Sequence, residues 1–233
     1  MREAWIVDVG QMAYRPAWDL QRRVSEAVLA ERIPDTVLLV EHLPVYTLGR
    51  AAHGQFTNLV WNPEHLAQEG IELVEVDRGG DITYHGPGQL VGYPILHLTW
   101  YHNDLHRYLR MLEEAIIKAL AEFHIESRQM PPHTGVWVGQ EKIAAIGVKA
   151  SQSITQHGFA LNVNPNMTHF AGIIPCGIRD KGVTSMAAQL GQEPTIDQVK
   201  PAVETALGEV LALSWTQRSY QQLEAALDIS RVG

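Results

Sequence analysis

Short, branched apolar segments gathered into two groups constrain this chain more than any other feature. "AWIVDV" near the start, "TVLLVEH" at 36–42, "IELVEVD" at 71–77 and "QLVGYPILHL" at 89–98 are bounded by Gly, Pro or Asn and read as strands. "GVWVGQ", "KIAAIGVKAS" and "HGFALNVN" form a second group separated by turn residues. Between the groups, Leu105, Leu109, Leu112, Ile116, Ala119, Leu120 and Phe123 recur at helical spacing behind Asn103 and Asp104, either of which can cap a helix. A second helix is predicted over Ala17–Arg32, and helical patterns return around 184–190, 195–211 and 216–227. Strands and helices therefore cluster instead of alternating, which favours an α+β fold with a mixed or antiparallel sheet over a doubly wound one. No repeat, low-complexity tract or long linker marks a boundary, so residues 1–233 are expected to form a single domain.

Composition excludes several classes. The formal charge of -8 opposes general affinity for a phosphate backbone, so a nucleic-acid partner is not expected. No segment approaches the roughly 20 consecutive apolar residues of a membrane-spanning helix, and "MREAWIVDVG" lacks the apolar core of a secretory signal. With a single cysteine besides, a reducing, cytoplasmic setting without a membrane partner is the expectation.

Three segments can carry chemistry. "RGGDITYHGPGQL", residues 78–90, reads as a glycine-rich loop between strands. It is not a P-loop, since no Gly-Lys-Ser/Thr follows, nor a dinucleotide fingerprint, since a strand and not a helix comes next. A structural loop would account for the glycines; Arg78, Tyr84, His85 and Gln89 in the same stretch favour a site. In "GQEKIAAIGVKAS", strand alternation places Lys142 on one face with Ala144 and Ile146, able to carry its amine toward a partly buried cleft. A desolvated lysine can serve as a base. The lone cysteine, Cys176, stands between Pro175 and Gly177 in "GIIPCGIRDKGVTSM". Free cysteine is often a small core filler, but a Pro/Gly turn presents a side chain and does not bury it. Nucleophilic use requires a nearby cation or base, because a cysteine of pKa ~8.5 is mostly protonated near neutrality; Lys142 and His85 are the candidates.

Eleven histidines raise the question of a metal. His102 and His106 have i, i+4 spacing, but His102 precedes the helix cap and neither an HExxH nor a cysteine cluster accompanies them, so no metal site is expected. No Gly-x-Ser-x-Gly elbow or paired-carboxylate pattern is present either.

Taken in order, "RGGDITYHGPGQLVGYP", "EKIAAIGVK", "HGFALNVN" and "IIPCGI" resemble the successive motifs of the lipoate-protein ligase B family, the lipoyl(octanoyl) transferases. The resemblance runs from about Leu38 through Met186. It implies the α+β catalytic domain shared by biotin and lipoate ligases, and an acyltransferase that needs no cofactor. The family's cysteine and lysine fall on Cys176 and Lys142. Its acyl-binding segments fall on Arg78, Gly79, Gly80, Asp81, Ile82, Thr83, Tyr84 and His85, on Ala145, Ile146 and Gly147, and on Gly158, Phe159 and Ala160. The donor implied is octanoyl acyl carrier protein. The acceptors implied are lysines of apo lipoyl domains, in 2-oxoacid dehydrogenase complexes and in the glycine-cleavage H protein.

The chemistry so implied is covalent. The Cys176 thiolate attacks the carrier thioester, and the target lysine then attacks the resulting octanoyl-enzyme, a ping-pong scheme. Lys142 takes the thiol proton and later one from the amine. Two rivals use the same fold: an ATP-dependent lipoate or biotin ligase, which needs no acyl-cysteine, and a non-catalytic module binding lipoyl domains or carrier proteins. Because carrier and lipoyl domains are generally acidic, Arg50, Arg78, Lys149, Arg179 and Lys181 are expected to supply a local basic patch.

Overall fold

The computed structural model describes residues 1–52, 54–174 and 181–228. Its elements are, in chain order, β1 (Arg2–Met12), α1 (Tyr14–Leu29), β2 (Thr36–His42), β3 (Val45–Leu48), α2 (Pro63–Gln68), β4 (Glu72–Glu75), β5 (Ile82–His85), β6 (Gln89–Ile95) and α3 (Leu105–Ala121). There follow β7 (Arg128–Met130), β8 (His133–Val138), β9 (Glu141–Ser151), β10 (Ile154–Asn162), β11 (Gly182–Val183), α4 (Met186–Leu190), α5 (Ile196–Leu211), β12 (Leu213–Ser219) and α6 (Tyr220–Asp228). Among the described residues, nine strands make one sheet in the order β12-β1-β2-β6-β10-β9-β8-β7, with β11 beside β9, and β4-β3-β5 form a smaller one. The large sheet is mixed: β1 runs parallel to both neighbours, while β2, β6, β10, β9, β8 and β7 pair antiparallel in turn. Fold class and mixed sheet agree with the clustering of strands in the sequence.

Alternation along β2 explains the layering. Val37 and Leu39 face α3 and α5, whereas Leu38 and Val40 face α1 and α6. Helix α3 starts where Asp104 accepts from the backbone N–H groups of His106 and Arg107, and it lays Leu112, Ile116 and Leu120, all fully buried, against the sheet. The β9–β10 hairpin turns on Gln152 and Ser153, both left-handed at φ 50° and 61°. Such a two-residue turn sets the register that places Gly147 opposite Gly158 and Ala145 opposite Ala160.

Four expectations are corrected. Helix α1 begins at Tyr14, not Ala17, because Pro16 is accepted in a first helical turn, where its missing N–H has no partner to lose. The helix expected over 216–227 starts at Tyr220; before it, Leu213–Ser219 are drawn into β12 by parallel pairing with Arg2–Asp8. The 78–90 segment is not all loop, since Ile82–His85 pair with Val45–Leu48, a strand not foreseen. Finally, Lys142 does not share a face with Ala144 and Ile146. The β8–β9 register shifts, so that Val136 opposes Ala144 while Trp137 opposes Lys142, and Ile143 is left as an extra residue. Such a bulge reverses alternation on one side of it.

Candidate active site

A cavity of about 530 Å³, including its mouth, lies between the two sheets. Its floor is the middle of the large sheet, where rows of small side chains cross three strands: Ala145 of β9 opposes Ala160 of β10, which opposes Val91 of β6. The facing wall is residues 78–81 together with β5. That wall comes close because Gly79 donates its N–H to the Val148 carbonyl at 3.1 Å, and a Cβ on Gly147 would stand 3.0 Å from the Gly79 oxygen.

The cavity gathers most of the residues singled out in the sequence. Arg78 to Thr83, His85, Lys142, Ala145 to Gly147 and Gly158 to Ala160 all line it. Tyr84 does not: it is fully buried on the opposite face of β5, with its hydroxyl 2.8 Å from His169 Nδ1 and its ring against Tyr46 and Phe170. Cys176 lies outside the described residues. Tyr14, Val91, Tyr93 and His157 complete the lining and were not foreseen. His157 sits inside the quoted "HGFALNVN", and Val91 and Tyr93 inside "RGGDITYHGPGQLVGYP", so there the motifs themselves are the available signal; Tyr14 carries no local signature.

Because of the bulge, Lys142 shares the cavity with Ala145. It is 7% exposed, and its Nζ stands 4.9 Å from the Trp137 ring centroid. Gly135 makes room for its stem: φ there is +126°, and a Cβ would stand 2.7 Å from the Ala144 oxygen and 3.2 Å from Lys142 Cε. Glu113, buried in α3, accepts the Gly135 N–H at 2.9 Å and so holds this glycine in place. On its other edge, β11 sets Val183 beside Lys142, and the Thr184 N–H donates to the Lys142 carbonyl at 3.0 Å.

The expected basic patch is not assembled as foreseen. Arg78 is buried, donating to the Thr47 carbonyl at 2.7 Å and to its hydroxyl at 2.9 and 3.2 Å. Lys149 pairs with Asp77 at 2.5 Å, and Lys181 donates to Gln140. Arg50 is exposed, and Arg179 falls outside the described residues.

Polar groups around the cavity have assignable protons. His42 Nδ1 lies 2.9 Å from the Met12 carbonyl, which can only accept, so Nδ1 carries the proton and Nε2 accepts from the Tyr93 hydroxyl at 2.6 Å. Burial pushes the His42 pKa down to about 4, against the pull of the Met12 carbonyl, and drives that of Tyr93 well up. His157, neutral through burial, donates Nε2–H to Asp77 at 2.8 Å. That bond, with Lys149 beside it, holds the Asp77 carboxyl below the usual range although partial burial opposes this. His85 is also driven far down, by burial first and then by His42. The chamber thus offers a small-residue apolar floor with uncharged imidazoles on its walls and a lysine on one side, suited to an apolar chain that carries a reactive head group.

A large mixed sheet covered by helices on both faces, with a cavity between it and a small second sheet, defines the catalytic-domain fold of lipoate and biotin protein ligases. The bipartite lipoate protein ligase of Thermoplasma acidophilum superposes with a TM-score of 0.72 at 13% identity, covering 98% of this chain and 92% of that one. The biotin protein ligase of Aquifex aeolicus does so at 0.53 and 16%, covering 98% and 74%. Identities so low speak for the fold alone. Residues 13–208 match the lipoyl protein ligase A/B catalytic domain, and the chain belongs to that family. An octanoyltransferase of Rubrobacter xylanophilus is 51% identical over 203 residues, covering 87% of this chain and 90% of its own.

Proposed function

We propose that this chain is an octanoyltransferase of protein lipoylation, moving an octanoyl group from acyl carrier protein to a lysine of an apo lipoyl domain. The observation that carries the reading is the 51% identity to an octanoyltransferase along most of both chains. The cavity supports it, since Ala145, Ala160, Val91 and Gly147 leave a wide apolar floor beside Lys142. Each buried CH₂ of an acyl chain contributes ~0.8 kcal/mol, so an eight-carbon tail gains several kcal/mol there. In this proposal the Cys176 sulfur attacks the thioester carbonyl carbon, its proton passing to Lys142. The carbon–sulfur bond to the carrier's phosphopantetheine breaks, and Lys142 returns the proton to the departing thiol. The lysine amine of the lipoyl domain then attacks the octanoyl-cysteine, an amide forms, and the cysteine sulfur leaves; Lys142 carries one proton from nitrogen to sulfur. The acceptors in this reading are lipoyl domains of 2-oxoacid dehydrogenase complexes and the glycine-cleavage H protein, and the setting is the cytoplasm. Among the described residues no helix is long and apolar enough to cross a membrane.

The test is mass spectrometry after incubation with octanoyl carrier protein alone. A hydroxylamine-labile octanoyl adduct on Cys176, absent from Cys176→Ala, is expected. An adduct at another residue, or none, would overturn the covalent scheme. Transfer should persist with apyrase and a chelator present, because a thioester is already activated; loss of transfer there would assign the chain to the ATP-dependent ligases.

A further inference from the structure

Of the titratable groups around the cavity, His85 is the one whose proton is placed by a chain of amides with no other evident task. The Thr184 carbonyl can only accept, so the group of Asn162 that meets it at 2.9 Å is the NH₂. Asn162 Oδ1 therefore faces Gln89 and accepts from Gln89 Nε2 at 2.9 Å, and the same NH₂ also donates to the Tyr84 carbonyl at 3.2 Å. Gln89 is left with Oε1 toward His85 Nδ1, 2.6 Å away, so Nδ1 carries the proton. His85 Nε2 is then an acceptor on a ring that lines the cavity, and it has no partner among the described residues.

The relay is tied to Lys142. Gln89 and Asn162 line, with Lys142, a small adjoining cavity that shares Thr83, Lys142 and Ala145 with the main one. Thr184, at the end of the relay, is bonded through its N–H to the Lys142 carbonyl. All of these amides are at most 3% exposed, so water offers them little alternative. Ring contacts fix the imidazole plane: Tyr14 stacks on it at 5.9 Å and 11°, and His42 meets it edge-on at 5.8 Å.

Resting on the octanoyl-transfer reading, we infer that Gln89 and Asn162 are positioning residues that present His85 Nε2 as a hydrogen-bond acceptor for an N–H of the incoming lysine amine. The chemistry of the two half-reactions selects that partner. At its reacting centre the donor thioester bears no hydrogen, and in the scheme above the one proton of the Cys176 thiol passes to Lys142. The amine does bear hydrogens, and an acceptor holding one of them aims the nitrogen lone pair at the carbonyl carbon. His85 keeps no proton: the carbon–nitrogen bond forms, the carbon–sulfur bond breaks, and the nitrogen's proton reaches sulfur through Lys142 as above. Through this bond His85 acts in the second half-reaction and not in the first.

Single-turnover kinetics separate the halves. In His85→Ala, with each half measured at saturating partner, transfer to the lipoyl domain should slow about tenfold more than octanoylation by the carrier, the value of one well-made hydrogen bond. Gln89→Glu supplies a signature that lost packing cannot. A carboxylate against Nδ1 favours the imidazolium, which has no free acceptor, so transfer should be depressed at low pH and recover as pH rises. The other groups facing His85 are unchanged in that variant: Tyr14 from α1, His42 from β2, Arg78 before β5 and His157 from β10. Equal slowing of both halves in His85→Ala, or a pH-independent loss in Gln89→Glu, would overturn the inference and leave octanoyl transfer standing. Failure of the wild type to form any octanoyl-enzyme would instead overturn the transfer reading, and this inference with it. Should His85→Ala not fold, His85→Asn and the Gln89→Glu profile decide.

Discussion

Acid should unfold this protein through His42 before its carboxylates are neutralised. The side chain is fully buried, donates to the Met12 carbonyl and accepts from Tyr93, and its pKa is lowered to about 4 from the ordinary 6.5. An unfolded chain takes up this proton near pH 6.5 and the native chain only near 4, so between those values the unfolded state binds more protons. The stability contributed by neutral His42 is therefore complete above pH 6.5 and is lost as pH falls toward 4, by about 3 kcal/mol in total at 1.36 kcal/mol per unit. About 2 kcal/mol of that falls between pH 7 and pH 5, a large part of a typical margin of ~5–15 kcal/mol. The comparison is urea unfolding at both pH values for wild type and His42→Gln, whose amide can donate to Met12 and accept from Tyr93 without titrating. His85, lowered in the same direction, adds to the slope in both proteins. Loss of stability on acidification should be smaller in the variant by about 2 kcal/mol. Equal losses would show that His42 is not held neutral by the fold.

Further outcomes concern Lys142. If it moves protons and does more than supply charge, Lys142→Arg and Lys142→Ala should both lose octanoylation and transfer, by ~10²–10⁴-fold; an arginine variant with a reactive cysteine thiolate and near wild-type rates would assign Lys142 a charge role only. Gly135→Ala, whose Cβ would meet the Ala144 oxygen at 2.7 Å and Lys142 Cε at 3.2 Å, should cost about 1–3 kcal/mol in unfolding experiments. It should also shift the pH profile of Cys176 alkylation by iodoacetamide; an unchanged profile would refute the role of Gly135 in seating the lysine. Charge reversal at Arg50, the exposed member of the expected patch, should raise KM for octanoyl carrier protein and leave that for a small octanoyl thioester unchanged.

Local signals carried far in this chain. The run at 36–42 is β2 to the residue, because alternation over both faces and flanking prolines act within a few positions, and Asp104 caps α3 as its place before the apolar repeat implies. What escaped depends on partners distant in sequence. Leu213–Ser219 hold a strand only because β1 is beside them, and Val45–Leu48 only because β5 and β4 flank them. At the cavity, motif segments supply most of the lining, but Tyr84 stands among them although alternation along β5 turns it away. His42 comes from a strand that reads as plain core and Tyr93 from the end of a motif segment, and their importance arises from meeting each other.

The extra residue at Ile143 has an evolutionary corollary. Substitutions along β9 leave the lysine where it is, whereas one residue added to β8 between Val136 and Trp137 would pair with Ile143, restore plain alternation and send the amine to the α3 side of the sheet. A descendant with that insertion would keep the four motif segments unchanged, and its chamber would lack the Lys142 amine. A change of length in β8, outside every motif, would thus take the lysine from the chamber, which a changed side chain elsewhere along β9 would not.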